Sequence, residues 1–580
     1  MSDLLIRNAT LVDGTGAAPR QADVRVEGAH VVKIADAGTL EPGTAEVVEG
    51  DGLLLTPGFV DVHTHYDGQV TWDPILAPSS WHGVTTVVMG NCGVGFAPAR
   101  PDEHNWLIEL MEGVEDIPGA ALHEGIQWDW ETFPEYLDAL EKLPRTIDIA
   151  AQVPHGALRA YVMGERGAQQ ERATAEDLEE MARLVREGIA AGALAFSTNR
   201  LPLHTSVHGD PVPGTFADTE ELEILTRAAV EGGSPMLQSV PAGAMGEDPD
   251  ASLREVALYD EISRRTGATV TFSTPQVHAL PNQWREVLDH SRAANENGAR
   301  LVPQVMGRPA GLLLSWETFN PFSGRPAYQE IADLPIEQRL PLLQSPERRE
   351  QILSEGDQDN PGMAIMLHAM RSAFPMDEGP VFEPPPSESI AGRAEAEGRD
   401  PMEVLYDTMC DLAADSKEGK TRMMAVFFSG YAEGDLDPLR EMICDPLTVV
   451  GLADGGAHCS MICDASMPTW MLTHWVRDRT RGERLSIEQA IKMLSNDPAQ
   501  LYGLSDRGVV AEGRRADLNL IELDALSLDL PEVTPDLPTG ASRVLQRGHG
   551  YRATICAGEI TFRDGTPTGA RPGQLVRGRR

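Results

Sequence analysis

The chain has 580 residues, more than one hydrophobic core usually absorbs, so two or more structural units are expected. A hydrophobic content of 41% excludes intrinsic disorder, and a formal net charge of -41 argues against nucleic acid or an anionic membrane as partner. The six cysteines are scattered, the opening MSDLLIRNATLVDGTG has neither a basic nor an apolar leader segment, and no apolar window reaches spanning length, so a cytoplasmic setting is expected.

In chain order, residues 2–56 read as short alternating strands (4–6, 23–26, 31–34) separated by Gly-rich turns, a small antiparallel sheet that needs a partner to bury its face. Pro57-Gly58 marks a turn, and the apolar run 59–62 ends in His63-Thr64-His65. Residues two apart on a strand share a face, so His63 and His65 leave the strand end together. The next apolar run, 85–89, ends at Asn91-Cys92-Gly93. Two imidazoles and a thiol at neighbouring strand ends are metal-site chemistry. The plainer reading is of surface polar residues and a small buried thiol. It fits poorly because a parallel-type strand is normally apolar on both faces.

From Gly58 onward strands and helices alternate. Strands are expected at 147–153, 193–197, 236–240, 270–273, 301–305 and 447–452. Helices are expected at 174–191, with Thr174 and Asp177 as a capping box, and at 218–231, 252–266, 283–297 and 436–444. Counted from Phe59 there are eight strands, and the central repeat of roughly thirty residues matches βαβ units. The expected fold is α/β: a (β/α)8 TIM-like barrel over 57–499, with a small β-sandwich built from 1–56 and 500–580. A single open parallel sheet is the competing architecture. Residues 307–435 break the rhythm and read as an insertion between strands seven and eight that covers the mouth as a lid. Ser486 opens a further helix as a capping box, Asp497-Pro498 opens another, and the tail returns to strands at 517–521, 551–557 and 559–563.

Polar residues stand at the C-terminal ends of all eight strands, the rim where barrel chemistry sits. They are His63 and His65, Cys92, His155, Thr198 with Arg200 and His204, Gln238 or Ser239, Thr274 or Gln276, Gln304, and Asp454 with His458. His63, His65, Cys92 and Asp454 make a divalent-metal set with zinc preferred. Asp454 is placed to take a proton from water and pass it to a leaving amine. The plainer reading makes Asp454 a turn residue before glycine. His155, Arg200, His204, Gln238, Ser239, Thr274 and His458 are the candidate contacts to a small-molecule substrate.

Taken together, LLIRNATLVDGTG, PGFVDVHTH, GVTTVVMGNCG, VPHGALR (153–159), GALAFST (192–198), VVGLADG (449–455) and YGLSDRGVVAEGRRADLNLIELD resemble the amidohydrolase superfamily, within it the N-acyl-D-amino-acid deacylase (D-aminoacylase) branch. The resemblance implies a barrel with a β-sandwich, zinc and amide hydrolysis. It implies further that His63 and His65 ligate metal, that Cys92 bridges or ligates where relatives use a carboxylated lysine, and that Asp454 is ligand and general base. Lys33, Lys142, Lys417, Lys420 and Lys492 lie on no expected barrel strand end, so a carboxylated-lysine centre is not expected. The branch's metal-binding His after strands five and six are replaced, by position, with about Ser239 and Thr274, and the Arg for a substrate carboxylate is missing. One zinc per chain is therefore expected, with two as the alternative. The expected substrate is an amide or cyclic amide other than a standard N-acyl-D-amino acid. A true deacylase and a catalytically inactive ligand-binding barrel are the alternatives. Homo-oligomerisation is expected only as a general prior.

Overall fold

The computed structural model describes residues 3–355, 372–376, 381–411 and 421–578. The N-terminal strands are β1 (Asp3–Leu11), β2 (Arg20–Glu27), β3 (His30–Asp36), β4 (Glu46–Glu49) and β5 (Leu54–Pro57). The middle of the chain supplies β6 (Phe59–Asp61), β7 (Val84–Met89), β8 (Asp148–Ala151), β9 (Val153–Pro154), β10 (Phe196–Asn199), β11 (Met236–Val240), β12 (Thr269–Ser273) and β13 (Leu301–Met306). The insertion carries β14 (Ala310–Leu314), β15 (Phe374–Pro375) and β16 (Met424–Ser429), and β17 (Val449–Gly451) follows it. The tail adds β18 (Leu518–Ile521), then β19 (Tyr551–Cys556), β20 (Glu559–Arg563) and β21 (Thr566–Pro567).

Strands β6, β7 and β8 pair in parallel, as do β9 to β13 in sequence order followed by β17. Residues 147–153, expected as one strand, are interrupted at Gln152, whose backbone N–H bonds Met89 while Val153 turns to Ala195. Their side chains are buried almost throughout, as parallel strands covered on both faces require. Among the helices between them are α1 (His104–Glu115), α2 (Ala175–Ala191), α3 (Thr219–Gly232), α4 (Ala251–Thr266) and α5 (Gln283–Glu296). The Thr174 hydroxyl accepts from Asp177 N and the Asp177 carboxylate accepts from Thr174 N, closing the expected capping box on α2. Asp218 caps α3 through Glu221 N, and Gly267 ends α4 in the left-handed region.

Both chain ends build one nine-stranded sheet, in the order β21-β20-β19-β18-β5-β1-β2-β3 with β4 on β1. A bridge between His30 and Arg515 returns the β3 edge towards β18, so the sheet curls over a core that includes Leu4, Ile6, Val24, Leu518 and Ile555. The insertion has its own core around Trp316, Phe322, Tyr328 and Tyr406. Its root joins the ends of the parallel strands: Gly430 N donates to Gln276 O, and Leu313 N to Met461 O.

Candidate metal centre and active site

Strand β6 ends at Asp61 and the chain continues extended, so His63 and His65 both turn to the same side. Their rings stand edge to face with centroids 5.5 Å apart. Cys92 joins them from the turn after β7. It adopts φ 55°, and Gly93 beside it has φ 67°, where a Cβ would lie 2.7 Å from Asn199 N. Asn91 holds the turn by donating to Thr64 O and Val88 O. The loop after β17 brings Asp454 in from the opposite side, its backbone N–H on His63 O.

Three donor atoms converge, from His63, His65 and Cys92, and the Asp454 carboxylate stands beside the two imidazoles. Cys92 Sγ lies 3.3 Å from His63 Nε2 and 3.9 Å from His65 Nε2. Asp454 Oδ1 lies 3.5 and 3.8 Å from the same two nitrogens. Donors held about 2.0–2.3 Å from one tetrahedral ion sit about 3.3–3.8 Å from each other, so the spacing of Cys92 and Asp454 from the two imidazoles suits a divalent metal. His63, His65 and Cys92 form the one histidine, cysteine and carboxylate group of that spacing among the described residues.

Each of the three buried donors has an outer partner. His63 Nδ1 meets Gln304 Oε1 at 3.0 Å, which leaves Nε2 facing the cluster. Cys92 N donates to Gln238 Oε1 at 3.0 Å. His65 Nδ1 lies 3.2 Å from Glu115 Oε1. Burial pushes His63 down to about 4 and His65 well below the usual imidazole range, and it pushes the Cys92 thiol well up. Burial also lifts Asp61, Asp67 and Asp454 to about 7 and Glu115 well above the carboxylate range. Neutral imidazoles beside several buried carboxyls make a donor set that suits a cation.

The other expected rim residues divide. His458 lies 3.6 Å from Glu115 through Nε2, and His204 is near enough to His63 and His458 to feel their charge. Gln238 points inward. Ser239, next along β11, faces the other way and bonds Tyr259 on α4 at 2.8 Å, because strand side chains alternate. Thr274 lines a small cavity with Trp284 between β12 and α5. His155 has both ring nitrogens committed, to Thr198 and to Glu221 at 2.9 Å each. Arg200 is locked on Glu255 and on the carbonyls of Thr215 and Ala217. Gln276 receives Ala432 N at the root of the insertion. Lys33, Lys142 and Lys492 sit on β3, at a helix end and within a helix, and Lys417 and Lys420 fall outside the described residues.

Sequence reasoning missed Glu115, Asp61 and Asp67. A signal was available for the aspartates, since they flank the His pair in DVHTHYD. None was available for Glu115, which arrives from the last turn of α1.

The amidohydrolase family model matches residues 46–562. The N-acyl-D-aspartate deacylase of Alcaligenes xylosoxydans xylosoxydans is 27% identical over 577 residues, covering 99% of this chain and 95% of that protein. Among solved structures, a D-aminoacylase described as having a binuclear metal centre superposes with TM-score 0.65 at 22% identity over 100% of both chains. The N-acyl-D-glutamate deacylase of Bordetella bronchiseptica, complexed with zinc and a phosphonate inhibitor, gives TM-score 0.65 at 23% identity over 99% of both chains.

Proposed function

Because this chain belongs to the amidohydrolase family, we propose that it uses one divalent metal, held by His63, His65, Cys92 and Asp454, to hydrolyse an amide or cyclic amide. The family and the deacylase relative make it a hydrolase of carbon–nitrogen bonds other than peptide bonds. The convergence of His63, His65 and Cys92, with Asp454 3.5 and 3.8 Å from the two imidazoles, carries the metal reading. A metal bound there supplies an acidified water and polarises the scissile carbonyl. Asp454, beside both imidazoles, would take the proton from that water and deliver it to the leaving nitrogen. Zinc suits the mixed N, S and O donors.

We read the eight parallel strands as a closed (β/α)8 barrel over 57–499. A parallel bridge between Thr64 and Gly455 beside β6 and β17, and the succession of β8 and β9, support closure. Residues 1–56 and 500–580 form the β domain, and 307–435 a lid rooted at the rim.

For the substrate, the pairing of the nearby arginines argues against a carboxylate-bearing N-acyl-D-amino acid. Asp61, Asp67, Glu115 and Asp454 crowd the His pair, whereas Arg159, Arg200 and Arg308 are paired with Glu221, Glu255 and Asp464. A neutral or cationic amide suits that field. A true N-acyl-D-amino-acid deacylase is the second reading, favoured by the near full-length relative. The test is elemental analysis of chelator-free protein, native and Cys92→Ala, with a hydrolysis panel of N-acetyl-D- and L-amino acids, cyclic amides and lactones. About one metal per chain with turnover of uncharged amides supports the proposal. Two metals with turnover of N-acetyl-D-amino acids replaces it with the second reading. No metal and no turnover leaves a ligand-binding barrel.

A further inference from the structure

Building on the metal-centre reading, we propose that Glu115 is a positioning residue that orients His65 and clasps the Asp454 loop to the end of α1. Two independent contacts carry this. On the side-chain route, Glu115 Oε1 stands 3.2 Å from His65 Nδ1, and Oε2 stands 3.6 Å from His458 Nε2. Because His65 Nε2 faces Cys92 and Asp454, Nδ1 must carry the proton, and Glu115 is the acceptor within reach. The two atoms are not aligned as a hydrogen bond, and each lacks another partner. The terminal torsion of a glutamate is soft, so little energy opposes turning the carboxylate toward Nδ1.

On the backbone route, His458 N donates to Glu115 O, and Asp116, at φ 51°, accepts from Ser460 N at 2.9 Å and Ser460 Oγ at 2.5 Å. The loop so held carries left-handed φ angles at Leu452, Asp454 and His458, and such backbone persists only when its surroundings fix it. The last two residues of the α1 turn therefore connect one imidazole donor to the carboxylate donor on the far side of the centre.

Glu115 is also a poor choice for stability. It is 1% exposed, no arginine or lysine pairs with it among the described residues, and its charged neighbours include Asp454 and Asp67. A buried carboxylate without a cation destabilises a fold, so a purely structural site would favour an apolar side chain.

The experiment compares wild type, Glu115→Ala and Glu115→Gln by three readouts. These are zinc affinity by chelator competition, the visible spectrum of the cobalt-substituted protein, and the thermal midpoint of the metal-stripped protein. Glu115→Ala is expected to bind zinc roughly 10–100-fold more weakly with an altered cobalt band. Glu115→Gln, which keeps the acceptor but not its charge, is expected to fall several-fold, less than Ala. Neither stripped variant should melt below the stripped wild type. The assignment is overturned if affinity and spectrum match wild type in both variants, if a full metal equivalent disappears (Glu115 would then be a ligand), or if the stripped variants melt markedly lower. If Glu115→Ala does not fold, an unshifted Glu115→Gln overturns it. A wild type that takes up no metal fails the metal reading itself, which separates the two failures.

Discussion

At the scale of single residues, the site is a set of buried groups whose protonation suits a cation between them. Asp454→Asn keeps the shape and removes the proton acceptor. Turnover of the amide identified by the panel is expected to fall about 10²–10⁴-fold, with the thermal midpoint of the stripped protein unchanged or higher. Asp67 gives the cleanest pH test. Its carboxyl is buried, accepts Gly90 N, and titrates at about 7 in the fold against an ordinary value of 3.8. The folded protein then holds a proton that the unfolded chain has released, so Asp67 lowers stability as pH rises from about 4 through about 7. In metal-stripped protein, Asp67→Asn is expected to match wild type near pH 4 and to exceed it by on the order of 2–4 kcal/mol at pH 8, read by denaturant unfolding. Equal stabilities at pH 8 would show that Asp67 is charged in the fold at no penalty. Glu115 marks the limit of local reading, because nothing in GVEDIPG distinguishes it from a solvent-facing helix end.

At the scale of elements, helices announced themselves through their ends. The Thr174, Asp218 and Ser486 caps and the glycine after α4 are set by backbone groups a few residues away, which sequence displays directly. Side-chain direction was less legible. The sequence places Gln238 and Ser239 at one strand end, and only pairing with Ser197 and Thr271 in the sheet shows which of them faces inward. Arg200 shows the same difficulty. At a strand end it reads as a substrate contact, yet α4 presents Glu255 to it with contacts of 3.0–3.3 Å. Arg200→Ala leaves Glu255 buried and unpaired. The expected loss is about 3–5 kcal/mol, with Glu255→Gln in the same chain recovering part of it. An unchanged midpoint with a raised KM would return Arg200 to the substrate.

At the scale of the whole molecule, the two chain ends and the parallel strands are joined by a buried charged hub on β8. Asp148 accepts from Arg507 at 2.6 Å, Arg515 at 3.0 Å and Gln574 N at 2.7 Å. Three separate parts of the tail thus meet one carboxylate of the central strands. Asp148→Ala leaves Arg507 on Asp506 and Arg515 on Asp517 but removes the carboxylate that joins them to β8, and is expected to cost about 1.5–3 kcal/mol in denaturant unfolding, with metal content unchanged at room temperature. A loss below about 1 kcal/mol would mean that solvent reaches the hub.

The alternation of strands and helices and the joining of both chain ends in one sheet were legible in the sequence, and so was the nearness of His63, His65 and Cys92, because hydrophobic period, caps and strand-end positions are local properties. Tertiary packing sets Gln238 on Cys92 and Gln304 on His63, ties Arg200 and His155 to glutamates on neighbouring helices, and brings Glu115 to His65. Each of those contacts joins residues far apart in the chain, and the packing of helices on strands settles which of many polar partners arrives within hydrogen-bond range.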